Sequence, residues 1–417
     1  MHGEQGSGDA SSTHKGRPCS ARDGVLRYPL PAPCSRVDRN GQDRGLGKAT
    51  DDGALTVEEL RVIVAGGGTG GHFFPGLAVA QALAGGAPKA RVLFVGSSRG
   101  IEARLAPRHG FPFLALPASG FAGMGIGGRL RALASLPLAL VKSVRALAAF
   151  RPGAVVSVGG YASFPLGIAA GLLGFPLLVL EQNVEPGLAN RVVSTFAAVV
   201  AVAFPQTKSH FGGKARLLGN PVRELLASVP GEAPPQIPLR LLVFGGSRGA
   251  RAINDAVVAA LPELKSFPGG IEIRHQTGTE DLDRVRAAYA AAGVTARVEP
   301  FIEAMDDAYA WCHAAVCRAG ATTLAELAAV RRPALLVPFP QAAGGHQMQN
   351  ALGLEALGGA LCLDQRDMTT NRLLEALRVL AIPERRAIMA AKLAAVARPS
   401  AARDIADLVR LMAGVRP

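Results

Sequence analysis

Cysteine is scarce in this chain: five in 417 residues, at positions 19, 34, 312, 317 and 362. That number and scatter exclude a disulfide framework, and the lack of CxxC or His-rich ligand spacing argues against a structural zinc site, so no metal is expected. Aromatic residues are scarce too, 5% with a single Trp. Few stacking platforms, Arg spread along the chain and no RNA- or DNA-binding motif make nucleic acid an unexpected partner. Only 18% of residues are charged against 49% hydrophobic, which excludes a disordered chain. Residues 1–24 lack the apolar core of about 7–15 residues that a signal peptide needs, so a cytoplasmic protein is expected.

An uncharged stretch of 29 residues, 152–180, is long enough by itself to nominate a transmembrane helix. Six Gly and three Pro break it, and Pro165 and Pro176 would cost a continuous helix its hydrogen bonds. Strand, loop, buried helix and strand is the better account.

What the chain does carry is positive charge, 45 Lys+Arg against 32 Asp+Glu, a net +13. Such a balance suits an anionic membrane surface or a phosphorylated substrate. Residues 1–57 contribute little of it, eight Lys+Arg against seven Asp+Glu, and show no hydrophobic period. They read as a disordered tail or as the result of a start codon placed too early.

From Leu60 onward, short apolar runs ending in Gly alternate with Ala/Leu-rich helical stretches, the pattern of βα units and a parallel sheet. Strands are predicted at 60–65, 91–95, 154–158, 177–180 and 199–203. After a Pro-rich stretch from Pro230 to Pro238 the pattern restarts, with strands at 239–244, 271–275, 314–317 and 334–337. The fold class is therefore α/β, two Rossmann-like doubly wound domains facing across a cleft: 58–228, a linker at 229–238, and 239–398. A C-terminal helix in 399–417 is expected to pack back on the first domain. Ligands of this fold class bind at the carboxyl ends of the strands.

Gly66-Gly67-Gly68-Thr69-Gly70-Gly71-His72 follows the first strand and opens a helix. Gly66, Gly68 and Gly71 satisfy GxGxxG, a dinucleotide pattern, but the second strand ends in Val95-Gly96-Ser97-Ser98 with no acidic residue for a ribose; Glu102 arrives only later. What survives is a tight loop whose N–H groups can face a diphosphate or a polar substrate. The second half opens in parallel with Gly245-Gly246-Ser247-Arg248-Gly249-Ala250, where Ser247 can cap a helix and meet a phosphate. Two anion-ready loops, one per domain, fit a nucleoside diphosphate.

Cys317-Arg318-Ala319-Gly320-Ala321-Thr322-Thr323-Leu324-Ala325-Glu326 is again strand, small-residue loop and helix. Thr323 and Glu326 match a capping box, the favoured reading on spacing alone; the rival is a carboxylate that accepts both hydrogens of a ribose diol. Glu181-Gln182-Asn183 and His346-Gln347-Met348-Gln349-Asn350 cluster amides that suit a hydroxyl-rich ligand. Asp281 and Asp283 spell a DxD within a helical pattern, where a solvated face is expected in place of a metal site. The stretch 120–150 sets Arg129, Arg131, Lys142 and Arg145 among apolar residues, a basic amphipathic face.

In this order, Gly67 to Ala78, Gly159-Gly160-Tyr161, Glu181-Gln182-Asn183, Gly219-Asn220-Pro221-Val222-Arg223, the 245–250 loop and the 317–326 run resemble the MurG family, bacterial glycosyltransferases of peptidoglycan synthesis. The resemblance runs from about Leu60 to the C-terminus. It implies the glycosyltransferase B fold. It also implies inverting transfer of N-acetylglucosamine from UDP-N-acetylglucosamine to the 4-hydroxyl of the undecaprenyl-pyrophosphoryl N-acetylmuramyl-pentapeptide, without cofactor.

Carried over by position, Glu326 would hold the ribose, Ile302 the uracil, and Ser247 and Arg223 the diphosphate. The helix start Ala321, Thr322, Thr323, Leu324 and Ala325 would line the donor site. Asn183 and Gln347 would meet the sugar, Asn350 would also bind substrate, and Thr69, Gly70 and Gly71 would close the cleft. His72 and Glu181 are the candidate general bases, with His72 preferred. The resemblance also implies a peripheral protein at the cytoplasmic face of the inner membrane, resting on its anionic surface through the basic amphipathic stretch, with other cell-wall synthesis proteins as partners. Leu180 departs from the family, which often has His there. The alternatives are a UDP-sugar epimerase on the same fold and a silent nucleotide-sugar-binding subunit.

Overall fold

The computed structural model describes residues 59–117, 126–223, 226, 229–230, 237–246 and 249–415. The expectations for residues 1–57, and for Ser247 and Arg248, lie outside them.

Among the described residues thirteen strands form two wholly parallel sheets. The first runs β3 (Phe113–Leu116), β2 (Ala90–Ser97), β1 (Leu60–Gly66), β4 (Ala154–Gly159), β5 (Leu177–Glu181), β6 (Val199–Val202), β7 (Ala215–Leu217). The second runs β10 (Ala296–Glu299), β9 (Ile271–Gln276), β8 (Leu239–Phe244), β11 (Ala314–Cys317), β12 (Ala334–Leu336), β13 (Ala360–Cys362). In each sheet the strand order reverses beside the first strand, so β1/β4 and β8/β11 are the switch points at which doubly wound folds bind ligands.

Both faces of each sheet are covered, which explains the unbroken apolar runs. In β1, Val62 and Val64 pack into one core while Ile63 and Ala65 pack into the opposite one. In β8, Leu241 and Val243 face away from Leu242 and Phe244 in the same manner. The nine predicted strands are all present. The four that were not predicted, β3, β7, β10 and β13, are the four sheet edges, three or four residues long and mostly half-buried.

The uncharged stretch 152–180 resolves into β4, the helix Phe164–Leu172 and β5. Among the described residues no helix is long and apolar enough to cross a membrane. Leu180 is fully buried in the core of the first sheet.

The last helix, Ala401–Met412, lays Ile405, Ala406 and Val409 on the face of the first sheet that holds Val62 and Val64. Its buried Arg410 donates to the carbonyls of Ala82 and Leu83, both at 3.1 Å, at the C-terminal end of the helix Gly70–Gly85. A cation there adds to the Gly86 N–H on the Ala82 carbonyl, partners the Leu83 carbonyl and complements the helix dipole. Arg410→Met should therefore lower the free energy of unfolding by about 2 kcal/mol, read from the urea midpoint.

Candidate active site

The loops after β1 and β4 build one wall of the cleft. Gly67 and Gly68 hold φ of +143° and +89°, and Gly159 and Gly160 hold +95° and +80°, a region that side-chain-bearing residues rarely enter. A Cβ on Gly160 would come within 2.7 Å of the Gly67 carbonyl, and one on Gly159 within 3.2 Å of His72 Cδ2. The glycines thus let the two loops close on each other and leave a slot for His72.

Thr69 is the N-cap of the helix Gly70–Gly85, with Gly70 and Gly71 in its first turn, and its Oγ1 lies 3.1 Å from His72 Nδ1. His72 is half-buried. Desolvation, with His346 as a second, smaller cause, lowers its pKa from 6.5 to about 4, so the imidazole is neutral at neutral pH.

Glu181 ends β5, buried, and four donors converge on it. Oε1 accepts from the Asn183 N–H at 2.9 Å and its Nδ2 at 3.2 Å; Oε2 accepts from the Gly187 N–H at 3.1 Å and Asn190 Nδ2 at 2.8 Å. Burial raises its pKa against the pull of these donors. This carboxylate folds the loop that carries Asn183. Asn190 flanks Gly159 together with His72, and its buried Oδ1 has no protein partner.

The second domain supplies a cavity of about 660 Å³, with Gly246, Gly249, Arg318, Thr323, Phe339 and Gln347 in its wall. Three helices begin there, Arg251–Ala259, Ala321–Val330 and His346–Ala356. Their first-turn N–H groups and dipoles make the cavity a site for anionic oxygen. Arg318 donates to the carbonyls of Val337 and Pro338 and to Gln365 Oε1 (2.8 Å), and lies over the Phe339 ring. Gln347 Oε1 accepts from the Phe339 N–H at 3.0 Å. Gln276 bridges the floor, donating to the Gly246 carbonyl at 2.7 Å and accepting from the Ile302 N–H at 2.9 Å.

Glu326 makes no capping box. The helix Ala321–Val330 is N-capped by Gly320, without a side-chain cap bond. Glu326 instead accepts from Tyr309 Oη at 3.1 Å and pairs with Arg223 at 3.5 Å. Burial raises its pKa, and Arg223 counters the rise. The Arg223 guanidinium also sits 5.6 Å from the Phe74 ring centroid, reaching from the second-domain side of the cleft to the first helix.

Two further links join the walls. Thr322 Oγ1 donates to the Gly71 carbonyl at 3.3 Å. Asn350 Oδ1 accepts from the Val184 N–H at 3.0 Å while its Nδ2 donates to Asn183 Oδ1 at 3.2 Å. His72, Asn183, Arg223, Glu326 and Asn350 are therefore in one cleft; Ala321, Leu324 and Ala325 are in the helix behind it.

Asp281 and Asp283 part company. Asp281 accepts from Asn254 at 2.8 Å and pairs with Arg284 at 3.0 Å, whereas the Asp283 side chain is 98% exposed. Among the described residues no three His, Cys, Asp or Glu gather as a metal ion would require.

Sequence reasoning missed Tyr309, Arg318, Asn190 and His346, which lie within recognised motifs or between them but come to the cleft only through long-range packing. It also missed the buried chain of Asn254, His275 and Tyr289 under the second glycine loop, where His275 bonds Asn254 Oδ1 and Tyr289 Oη at 3.0 Å each. Asn254 Nδ2 donates to the Thr277 carbonyl, against which Gly249 packs, and so links that chain to the loop.

Two glycine-loop domains, the second holding a helix-lined cavity, are the arrangement of nucleotide-sugar glycosyltransferases of the B fold. Residues 62–202 match the glycosyltransferase family 28 N-terminal domain and 240–409 its C-terminal domain. The chain is 44% identical over 352 residues, 84% of itself and 92% of its relative, to a protein of Anaeromyxobacter sp. (strain Fw109-5) named UDP-N-acetylglucosamine–N-acetylmuramyl-(pentapeptide) pyrophosphoryl-undecaprenol N-acetylglucosamine transferase. It superposes on the crystal structure of Acinetobacter baumannii MurG with a TM-score of 0.70 at 32% identity, covering 84% of this chain and 99% of that one. A putative UDP-N-acetylglucosamine 2-epimerase from Listeria monocytogenes, 14% identical with a TM-score of 0.61 over 84% of this chain and 96% of that one, shares the fold. The chain belongs to glycosyltransferase family 28 and, within it, to the MurG family.

The depressed histidines have a consequence for stability. His72 and His275 titrate at about 4 and about 3 in the native state against 6.5 ordinarily. Between those values the unfolded chain binds protons that the native one does not, so stability is full above 6.5 and is lost as the pH falls through that window. The urea midpoint should drop between about pH 7 and about pH 5, and His72→Gln should flatten the slope.

Proposed function

We propose that this protein transfers N-acetylglucosamine from UDP-N-acetylglucosamine to the 4-hydroxyl of lipid-linked N-acetylmuramyl-pentapeptide in one inverting displacement. The observation that carries the mechanism is the placement of His72, its pKa lowered by burial, in the first turn of the first helix, where the Gly71 carbonyl accepts from Thr322 at the start of a helix that opens on the second-domain cavity.

UDP occupies the second domain. The diphosphate lies at the first turns of the helices around the cavity, with Ser247 and Arg223. Glu326 receives the ribose diol, exchanging its Tyr309 and Arg223 partners for hydroxyls. Ile302, whose N–H is already given to Gln276, offers its carbonyl to the uracil N3–H. Asn183, Gln347 and Asn350 surround the sugar.

In the reaction the acceptor's 4-oxygen bonds to C1 as the bond from C1 to the diphosphate oxygen breaks, and UDP leaves with the electron pair. His72 takes the hydroxyl proton. With Nδ1–H donating to Thr69, Nε2 carries the free lone pair. Glu181 is a poorer base in this reading, because four protein donors already occupy its oxygens. Charge developing on UDP is met by helix N-termini and Arg223.

The membrane-facing surface in this reading is the outer side of the first domain. Leu138 (52% exposed) and Val141 on the helix Ile126–Phe150, and Leu172 (69% exposed) at the end of the helix Phe164–Leu172, lie on two helices that pack together, with Lys142 and Arg145 beside the former pair. Apolar side chains edged by cations suit peripheral attachment to an anionic bilayer at the cytoplasmic face.

Two measurements test these assignments. UDP release by the full chain should require the lipid-linked acceptor, and His72→Ala should lower kcat about 10²–10⁴-fold; acceptor-independent formation of an epimerised UDP-sugar would replace the reading with the epimerase. Leu138→Glu with Leu172→Glu should abolish co-sedimentation with phosphatidylglycerol vesicles while turnover of a water-soluble short-chain acceptor is kept.

A further inference from the structure

Glu102 takes no part in the mechanism above, yet it is 0% exposed and sits directly beneath the first glycine loop. It belongs to the first turn of the helix Ile101–Arg108, and its side chain turns back between the ends of β1 and β2. Oε2 accepts from the Gly68 N–H at 2.8 Å; Oε1 accepts from the Ser97 N–H at 2.8 Å and Ser97 Oγ at 3.1 Å. Three glycines make room for it, since a Cβ on Gly67, Gly96 or Gly100 would run into its carboxyl group.

The peptide between Gly67 and Gly68 is thereby fixed at both ends. Its N–H is given to Glu102, and its carbonyl faces Gly160, near enough that a Cβ there would lie 2.7 Å away. Gly160 in turn backs onto His72, whose Nδ1 would be 3.4 Å from that same Cβ. The Gly159–Gly160 turn therefore lies between the peptide that Glu102 holds and the imidazole, with little room for a side chain on either glycine.

We propose that Glu102 is a positioning residue for the transfer reaction: its carboxylate fixes the Gly67–Gly68 peptide and so sets the slot in which His72 is aimed at the acceptor hydroxyl. This rests on the reading of His72 as the base. A carboxylate can accept from both backbone N–H groups at once, whereas an amide must turn its NH2 donor toward one of them. A buried acid also costs desolvation that an apolar residue of similar volume would avoid, and that apolar residue would leave both N–H groups unpaired.

The test is Glu102→Gln in the full chain. Expected are a thermal midpoint near that of the parent, UDP affinity and donor KM within about twofold, kcat down about a hundredfold, the scale of a misplaced reacting group, and faster hydrogen exchange at the Gly68 amide. In a double-mutant cycle the loss from Glu102→Gln should vanish in the His72→Ala background. An unchanged kcat, a loss carried by donor KM, or an equal loss with and without His72 would each overturn the proposal. If His72→Ala retains full turnover, it is the base assignment that fails, and unchanged Gly68 exchange in Glu102→Gln would then overturn the placement of the loop as well. Should Glu102→Gln not fold, Ser97→Ala, which removes only the 3.1 Å bond to Oε1, decides: a several-fold fall in kcat with an unchanged thermal midpoint supports the proposal, and parent kcat overturns it.

Discussion

The first N–H groups of a helix have no partner inside it, and the cleft of this molecule depends on where four such helix starts are set. Three of them, at Arg251, Ala321 and His346, surround the second-domain cavity; the fourth, at Gly70, meets the second of these through Thr322 and Gly71. Parallel sheets with switch points at β1/β4 and β8/β11 put helix starts in such places by topology. In the proposed reading these helix starts join Ser247 and Arg223 in holding a diphosphate.

Three buried carboxylates flank the cleft, and their partners tell them apart. Glu181 is occupied by four donors that shape the Asn183 loop. Glu102 is occupied by the backbone of the first glycine loop and of Ser97. Glu326 has a tyrosine hydroxyl and a long 3.5 Å contact with Arg223, and so has the fewest protein partners of the three. In each case the charge is buried at a desolvation cost offset by hydrogen bonds.

Much of the fold was legible in the residues because central strands of a parallel sheet are buried on both faces. Leu60, Val62, Ile63, Val64 and Ala65 must all be apolar, and the run is visible without any partner. The edge strands Phe113–Leu116, Ala215–Leu217, Ala296–Glu299 and Ala360–Cys362 pair on one side only and are three or four residues long, too short for a hydrophobic period to mark them. The site was legible in its loops, since glycine at φ near +90° is demanded by backbone geometry. It was illegible wherever two readings share one spacing: Thr323 and Glu326 stand as a capping box would, and only Tyr309 and Arg223, 17 and 103 residues away, exclude it.

The sequence by itself thus determined two doubly wound domains, a glycine loop at the head of each, and the family to which those loops belong, because hydrophobic period and positive-φ glycine are local requirements. Tertiary structure alone decided which groups meet: Glu102 beneath Gly68, Asn350 against Val184, Arg223 between Phe74 and Glu326, and Arg410 at the far end of the first helix. Those contacts join residues up to 328 positions apart. Hydrogen-bond partners and desolvation at such separations are set by packing, and no local pattern of residues records them.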